Sequence, residues 1–260
     1  MKDVFGHYWF QVRSYECGSD GLATLPTICN YLQESASLHA EALAFSRVDF
    51  ASQGENITWV LTRLRVKMFR YPKWNERVEV VTFPRGGRKI VAWRDFSVKT
   101  EKGEVLGLAT SEWMMIDLSS RRIVSIPDTV FEASERVNEA VLGLDPFTPR
   151  LRFPVSVQVN ANRAFVAKNL DIDLNGHVNN VHYIEWMLEP CFASERSGAA
   201  CPTEMEIVFR SETFAGERIA VDVGKDEASG RTYHRVASAD GKDHVVAWTR
   251  HMEMRADVGN

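Results

Sequence analysis

The sequence predicts an α+β fold built from two similar halves. Three observations carry this. Apolar residues at helical spacing are followed by a long run in which apolar and polar residues alternate. The same order returns in the second half, and the two strand runs superpose at one constant offset without a gap. A helix followed by consecutive strands makes an antiparallel sheet packed on that helix, whereas a parallel sheet needs helices between its strands.

In the first half, Thr24-Leu25-Pro26 offers a capping hydroxyl and an early-turn proline, which together open a helix. Leu25, Ile28, Leu32, Ala36 and Phe45 recur near helical spacing, predicting a helix to about Ser46. From Trp59 the period becomes two: Leu64, Val66 and Met68 alternate with Arg63, Arg65 and Lys67, the pattern of a two-faced strand. Val78, Val80 and Thr82 continue it after a Tyr71-Pro72 break. Strands are then predicted over 89–99 and 104–117, joined by the turn Thr100-Glu101-Lys102-Gly103.

The second half repeats the plan. Val181, Ile184, Leu188 and Cys191 mark a helix with one apolar face, and Pro190 predicts its end. Met205, Ile207 and Phe209 alternate with Glu204, Glu206 and Val208, then Ile219, Val221 and Val223 follow, and strands are predicted over 231–238 and 244–254. Met68 falls on Phe209, Glu76 on Glu217, Arg77 on Arg218 and Val80 on Val221. A repeat this long points to a duplicated domain rather than a solenoid. Residues 119–153 match nothing in it and carry Pro127, Pro146 and Pro149. The expected division is 1–118, a connection over 119–153, and 154–260.

The chain has 260 residues, 45% hydrophobic and 25% charged, with 31 Lys and Arg against 35 Asp and Glu, a net charge of −4. This excludes disordered and collagen-like chains, and the mild acidity argues against a nucleic-acid binder. No apolar run reaches the length of a membrane-spanning helix. Cys17, Cys29, Cys191 and Cys201 form no C-x-x-C pair and lack histidines at zinc spacing, so neither a metal site nor a disulfide framework is expected. Reduced cysteines, with no apolar signal core in the first residues, predict a cytoplasmic protein.

The densest polar stretch is Asp171-Ile172-Asp173-Leu174-Asn175-Gly176-His177-Val178-Asn179-Asn180. In an extended backbone Asp171, Asp173, Asn175 and His177 point to one side, with Leu174 and Val178 on the other. Asn179 or Asn180 can cap the following helix and bring its free N–H groups beside the polar row. A histidine, carboxylates and an amide at a helix start suit acyl-group hydrolysis: one group takes a proton from water, another orients it, and backbone donors hold the oxyanion. Spacing alone is equally consistent with a solvated, capped loop.

The run 171–189 resembles the signature segment of the acyl-acyl-carrier-protein thioesterases of plants and bacteria. So do Arg70-Tyr71-Pro72-Lys73-Trp74, Trp93-Arg94-Asp95-Phe96 and Ala109-Thr110-Ser111-Glu112-Trp113. The resemblance spans nearly the whole chain. It implies a tandem double hotdog, in which antiparallel sheets each wrap a long helix. It also implies hydrolysis of acyl-ACP to free fatty acid, without metal or organic cofactor. The family's catalytic residues fall on Asp173, Asn175, His177 and Glu212. The cysteine that follows the glutamate in plant members is Thr213 here. A hydroxyl is a far weaker nucleophile than a thiolate, so water is the expected attacking group. The expected roles are Glu212 activating water with His177, Asn175 positioning the water or the thioester carbonyl, and Asp173 fixing local hydrogen bonds. N–H groups near Asn180 and Val181 are expected at the oxyanion. Which of Glu212 and His177 is the base stays open.

Aligning Tyr31 with Tyr183 puts Gly21, Ala23 and Leu25 opposite Asp173, Asn175 and His177, and Tyr71 lies opposite Glu212. One active centre per chain follows, leaving the first half to supply an acyl-chain cavity. An acidic carrier protein needs a positive face. Arg63, Arg65 and Lys67 on one side of a strand are candidates, with Arg85, Arg88, Lys89, Arg121 and Arg122. Three rivals share the scaffold: an acyl-CoA thioesterase, a hotdog 3-hydroxyacyl-thioester dehydratase, and an inactive acyl-carrier binder. Neither a membrane nor a nucleic-acid partner is expected, and monomer and homodimer are both open.

Overall fold

The computed structural model of the chain describes residues 4–134, 144, 147–193 and 201–251. The first half runs β1 (Gly6–Gln11), α1 (Leu25–Ala42), α2 (Arg47–Ser52), β2 (Ile57–Met68), β3 (Arg77–Arg88), β4 (Val91–Thr100) and β5 (Val105–Asp117). A short β6 (Arg122–Val124) and α3 (Asp128–Ser134) follow. The second half runs β7 (Ala161–Val166), α4 (Asn180–Leu188), β8 (Glu204–Phe209), β9 (Arg218–Asp226), β10 (Arg231–Ser238) and β11 (Asp243–Arg250).

All strands pair antiparallel, in the order β1-β3-β4-β5-β2-β8-β11-β10-β9-β7, with β6 added to β5. Outward from the central β2–β8 pair, the two halves list their strands in the same order. Each half curls its sheet around its own helix, the tandem hotdog arrangement, and the two half-sheets join edge to edge through β2 and β8. Joining them removes two exposed strand edges. The helices meet on one face, and a single core runs through both halves, from Ile28 and Leu32 of α1 to Tyr183 and Met187 of α4. No helix among the described residues is long and apolar enough to cross a membrane. The C-terminal end of the last predicted strand, including Met254, lies outside the described residues.

Two edge strands, β1 and β7, carry no clear apolar alternation and were not predicted. The first helix also differs from expectation. Thr24 caps it as predicted, accepting from Thr27 N–H at 3.3 Å. It ends at Ala42 rather than Ser46, because Ala44 turns left-handed at φ +66°. Phe45 N–H then closes on Ala40 C=O at 2.8 Å and Ala44 N–H on Glu41 C=O at 2.9 Å. This is the terminating motif that glycine usually supplies, and an alanine there leaves no mark in the sequence. Ser46 and Asp49 then cap each other's backbone to start α2.

The junction overturns one expectation. Arg65 and Lys67 sit opposite Glu206 and Glu204 in the β2–β8 register, so the acidic residues are not a contrasting surface but their ion-pair partners. Glu206 is fully buried. It accepts from Arg63 at 2.9 Å, from Thr148 N–H and Oγ1 at 2.8 Å each, and from Trp248 Nε1 at 3.3 Å. The Arg65 side chain is only 7% exposed, and Lys67 reaches Glu204 at 3.4 Å. Burying a carboxylate requires such a set of donors. Arg63 and Arg65 therefore clasp the halves together and cannot form a docking face.

The helix of the second half, α4, rests on another buried polar group. His234 of β10 bonds Met187 C=O at 2.9 Å and Thr249 Oγ1 at 2.8 Å, and is fully buried. Burial pushes its pKa down from 6.5 to about 4. The unfolded chain binds this proton below pH 6.5 while the folded chain refuses it until near pH 4. Stability from His234 is thus complete above pH 6.5 and is lost progressively as pH falls towards 4, by about 3 kcal/mol for such a shift. Urea unfolding at pH 7 and pH 4.5 should show this loss, and His234→Gln should flatten it. An equal pH dependence in the variant would refute the assignment.

Candidate active site

The polar stretch is not extended. Ile172 pairs with Val178 across a hairpin, Asp173 N–H bonds His177 C=O at 2.9 Å, and Gly176 N–H bonds Asp173 C=O at 3.0 Å. Gly176 takes φ +85°, a conformation glycine reaches without a Cβ clash. Asp173 Oδ1 accepts from Asn175 N–H at 2.7 Å, an Asx turn that competes with an extended strand. The predicted row therefore breaks up. Asp171 accepts from Lys168 N–H one turn earlier, Leu174 stands 98% exposed at the tip, and Asp173 and His177 face each other at the base. Asn179 is the cap, accepting from Val181 N–H at 2.9 Å.

The first half contains the same loop without its chemistry. Gly18 N–H bonds Leu22 C=O, Gly21 N–H bonds Gly18 C=O at φ +76°, and Thr24 N–H bonds Glu16 C=O. These match Asp173–His177, Gly176–Asp173 and Asn179–Asp171 in the second half. Ala23 N–H on Pro72 C=O likewise matches Val178 N–H on Thr213 C=O. The caps Thr24 and Asn179 set the register, so Gly18, Asp20 and Leu22 stand opposite Asp173, Asn175 and His177, three residues from the alignment on Tyr31. Tyr71 does lie opposite Glu212, and its hydroxyl is buried on Pro202 C=O at 2.7 Å.

Three of the four predicted side chains gather directly. His177 Nε2 lies 3.4 Å from Glu212 Oε1, and its Nδ1 lies 3.9 Å from Asp173 Oδ1. The second distance is too long for a hydrogen bond. Asn175 Nδ2 reaches Asp173 Oδ2 at 3.5 Å. Two guanidiniums from the first half complete the group. Arg47, the first residue of α2, donates to Asn175 Oδ1 at 3.3 Å, and Arg121 in the β5–β6 turn pairs with Glu212 Oε2. Arg47 carries no sequence signal for this role, because its partner lies in the other half of the chain.

Behind Glu212, Thr213 is completely buried and its Oγ1 lies 3.1 Å from His244 Nδ1. Ser211 Oγ meets the same nitrogen at 3.0 Å. His244 thus anchors the segment that presents Glu212, and the Thr213 hydroxyl faces inward. The expected oxyanion donors are corrected in part: Val181 N–H is occupied by the Asn179 cap, whereas Asn180 lines the adjoining cavity. Among the described residues, no three His, Cys, Asp or Glu side chains gather to hold a metal ion.

That cavity is a narrow gap of about 10 Å³ between the two helices. Asn180, Val181 and Ile184 of α4 face Cys29, Leu32 and Gln33 of α1, with Leu64, Phe96 and Trp113 along the sheet. Trp113 is also a wall of a second cavity, of about 90 Å³, which continues along α1 past Ala36, Ser37 and Ala40 to Leu43. These α1 positions recur every three to four residues and so form one stripe. Trp113 stands between the cavities with its Nε1 bonded to Ser111 Oγ at 2.7 Å.

Comparison with known proteins agrees with this architecture. Residues 3–133 match the model of the acyl-ACP thioesterase N-terminal domain and residues 156–253 that of the C-terminal domain. The chain is 35% identical over 198 residues to oleoyl-acyl carrier protein thioesterase 1, chloroplastic, of Arabidopsis thaliana, covering 69% of this chain and 53% of the relative. It is 34% identical over 190 residues to the palmitoyl-acyl carrier protein thioesterase, chloroplastic, of Gossypium hirsutum, covering 69% and 45%. The chain thus spans about half the length of these relatives. Its fold superposes on the 12:0-ACP thioesterase from Umbellularia californica with a TM-score of 0.81 at 22% identity, covering 96% of this chain and 98% of that one. An acyl-ACP thioesterase from Bacteroides thetaiotaomicron gives 0.75 at 22% identity, covering 95% and 97%. The chain belongs to the acyl-ACP thioesterase family.

Proposed function

We propose that this protein hydrolyses fatty acyl-ACP thioesters to free fatty acid and holo-ACP by direct attack of water. The observation that carries the reading is the His177–Glu212 contact at 3.4 Å, with His177 in the turn that leads into Asn180, a residue lining the apolar cavity between the helices. Glu212 takes the proton from water, and His177 between the two carboxylates steers that proton towards the leaving thiol. Asn175, its amide oxygen held by Arg47, turns its NH₂ to the water or the thioester carbonyl, and Asp173 holds the loop. Asn180 N–H at the helix start stabilises the oxyanion. Buried Thr213 does not reach the thioester, which supports water over an acyl-enzyme.

The acyl chain occupies the cavity between α1 and α4, so the first half measures the chain and the second carries the chemistry. This is the division placed at 1–118 and 154–260. Arg88, Lys89 and Arg122 remain exposed on neighbouring turns of the first half, linked by Ile126 N–H on Lys89 C=O at 2.8 Å. They form the positive face we assign to the carrier protein. One chain supplies every group named, so the working unit needs no second copy. We assign the protein to the cytoplasm, on its free cysteines and mixed charge.

The test is thiol release from matched ACP and CoA thioesters of eight to eighteen carbons. Preference for ACP that weakens with salt supports the reading. Equal or better use of CoA would move the protein to acyl-CoA hydrolysis, and no release from either would end the hydrolase reading.

A further inference from the structure

The second cavity, beyond Trp113, contains a charge that the proposed hydrolysis does not use. Trp59, Trp93, Trp113 and Phe45 make most of its wall apolar, yet Arg94 of β4 also lines it. Arg94 Nη1 donates to His39 Nδ1 at 2.8 Å and to Thr82 Oγ1 at 3.2 Å, both neutral acceptors. No carboxylate among the described residues pairs with it. Its neighbour Asp95 points to the opposite face of the strand, where Arg85 holds it at 3.0 Å. Burial pushes the Arg94 guanidinium down to about 10, the direction of a cation that has left water without gaining an anion.

We infer that this cavity binds a free fatty carboxylate, its head on Arg94 and its alkyl chain among the tryptophans. A guanidinium presents a planar fork of donors that matches a carboxylate in two-point contact, and a buried cation is stabilised most by gaining an anion. From Ala36 to Leu43 the cavity follows about 10 Å of helix, room for a chain of about eight methylenes at ordinary bond geometry. The choice of a fatty carboxylate rests on the proposed hydrolysis, which releases this class of product.

The experiment titrates the full chain with decanoate and with 1-decanol, reading tryptophan fluorescence. Wild type and Glu212→Gln are run in parallel, so that in the variant added acid is the only source of ligand. Decanoate should bind at least about tenfold more tightly than the alcohol in both proteins. Arg94→Gln should erase that difference while leaving the alcohol's affinity unchanged. Equal affinities in wild type, or an undiminished preference in Arg94→Gln, would overturn the site. If Arg94→Gln fails to fold, Ala40→Trp, which fills the second cavity from α1, should abolish the preference for decanoate over the alcohol, and a retained preference would overturn the site. Binding is read without turnover. Failure here therefore leaves the hydrolase reading standing, and failure of the hydrolase reading leaves this binding result standing.

Discussion

Replacing Glu212 with glutamine should lower turnover on acyl-ACP by at least about a hundredfold, and His177→Ala should cost a comparable factor. The glutamine keeps the shape of the side chain and removes only its capacity to take a proton, so the loss should appear in kcat rather than KM. The two effects should be far from additive, because the His177–Glu212 contact makes them one proton-handling unit. Neither side chain belongs to the buried core, so unfolding midpoints should stay near that of the wild type. Single-turnover thiol release decides the matter. Near-wild-type rates in both variants would remove Glu212 and His177 from the mechanism.

The second large effect concerns chain length. Between Cys29 and Gln33 the first cavity follows about 6 Å of α1, the length of about five carbons. Trp113 then blocks the lane. Trp113→Ala should join the cavities and move the preferred substrate towards longer chains, since the second cavity continues for about 10 Å from Ala36 to Leu43. The ratio of kcat/KM for sixteen- and eight-carbon acyl-ACP should rise at least about tenfold, as expected when several methylenes gain a buried place. Ser111→Ala, which frees the indole from its 2.7 Å hydrogen bond, should shift the ratio in the same direction by less. An unchanged profile in Trp113→Ala would mean that the chain does not follow α1.

Much of this protein is legible in its sequence. The periods of 3.6 and 2 mark α1, α4 and the central strands, because each of these buries one face, and burial is what imposes periodicity. The predicted strand over 231–238 coincides with β10, and the Thr24 cap was visible as a residue type whose side chain satisfies helix N–H groups, whereas the choice of Asn179 over Asn180 came from the structure. The edge strands β1 and β7 were not, since an edge strand is specified largely by its partner. The end of α1 was hidden for a related reason: Ala44 adopts a left-handed conformation that its side chain does not advertise.

The sequence by itself determined the α+β class, the duplicated plan and the polar residues from which the candidate site is built. These are properties of spacing and side-chain chemistry, which local physics reads directly. Tertiary structure alone decided which side chains meet. It turned the polar row into a hairpin, brought Arg47 and Arg121 across from the other half, and converted the candidate docking arginines into buried partners of Glu206. It also left Arg94 facing a cavity while Asp95, one residue on, found its cation on the other side of the sheet. An electrostatic partner far away in sequence is fixed by sheet register and helix packing. A charge written in the sequence therefore states what a residue can do, and only the fold states to whom.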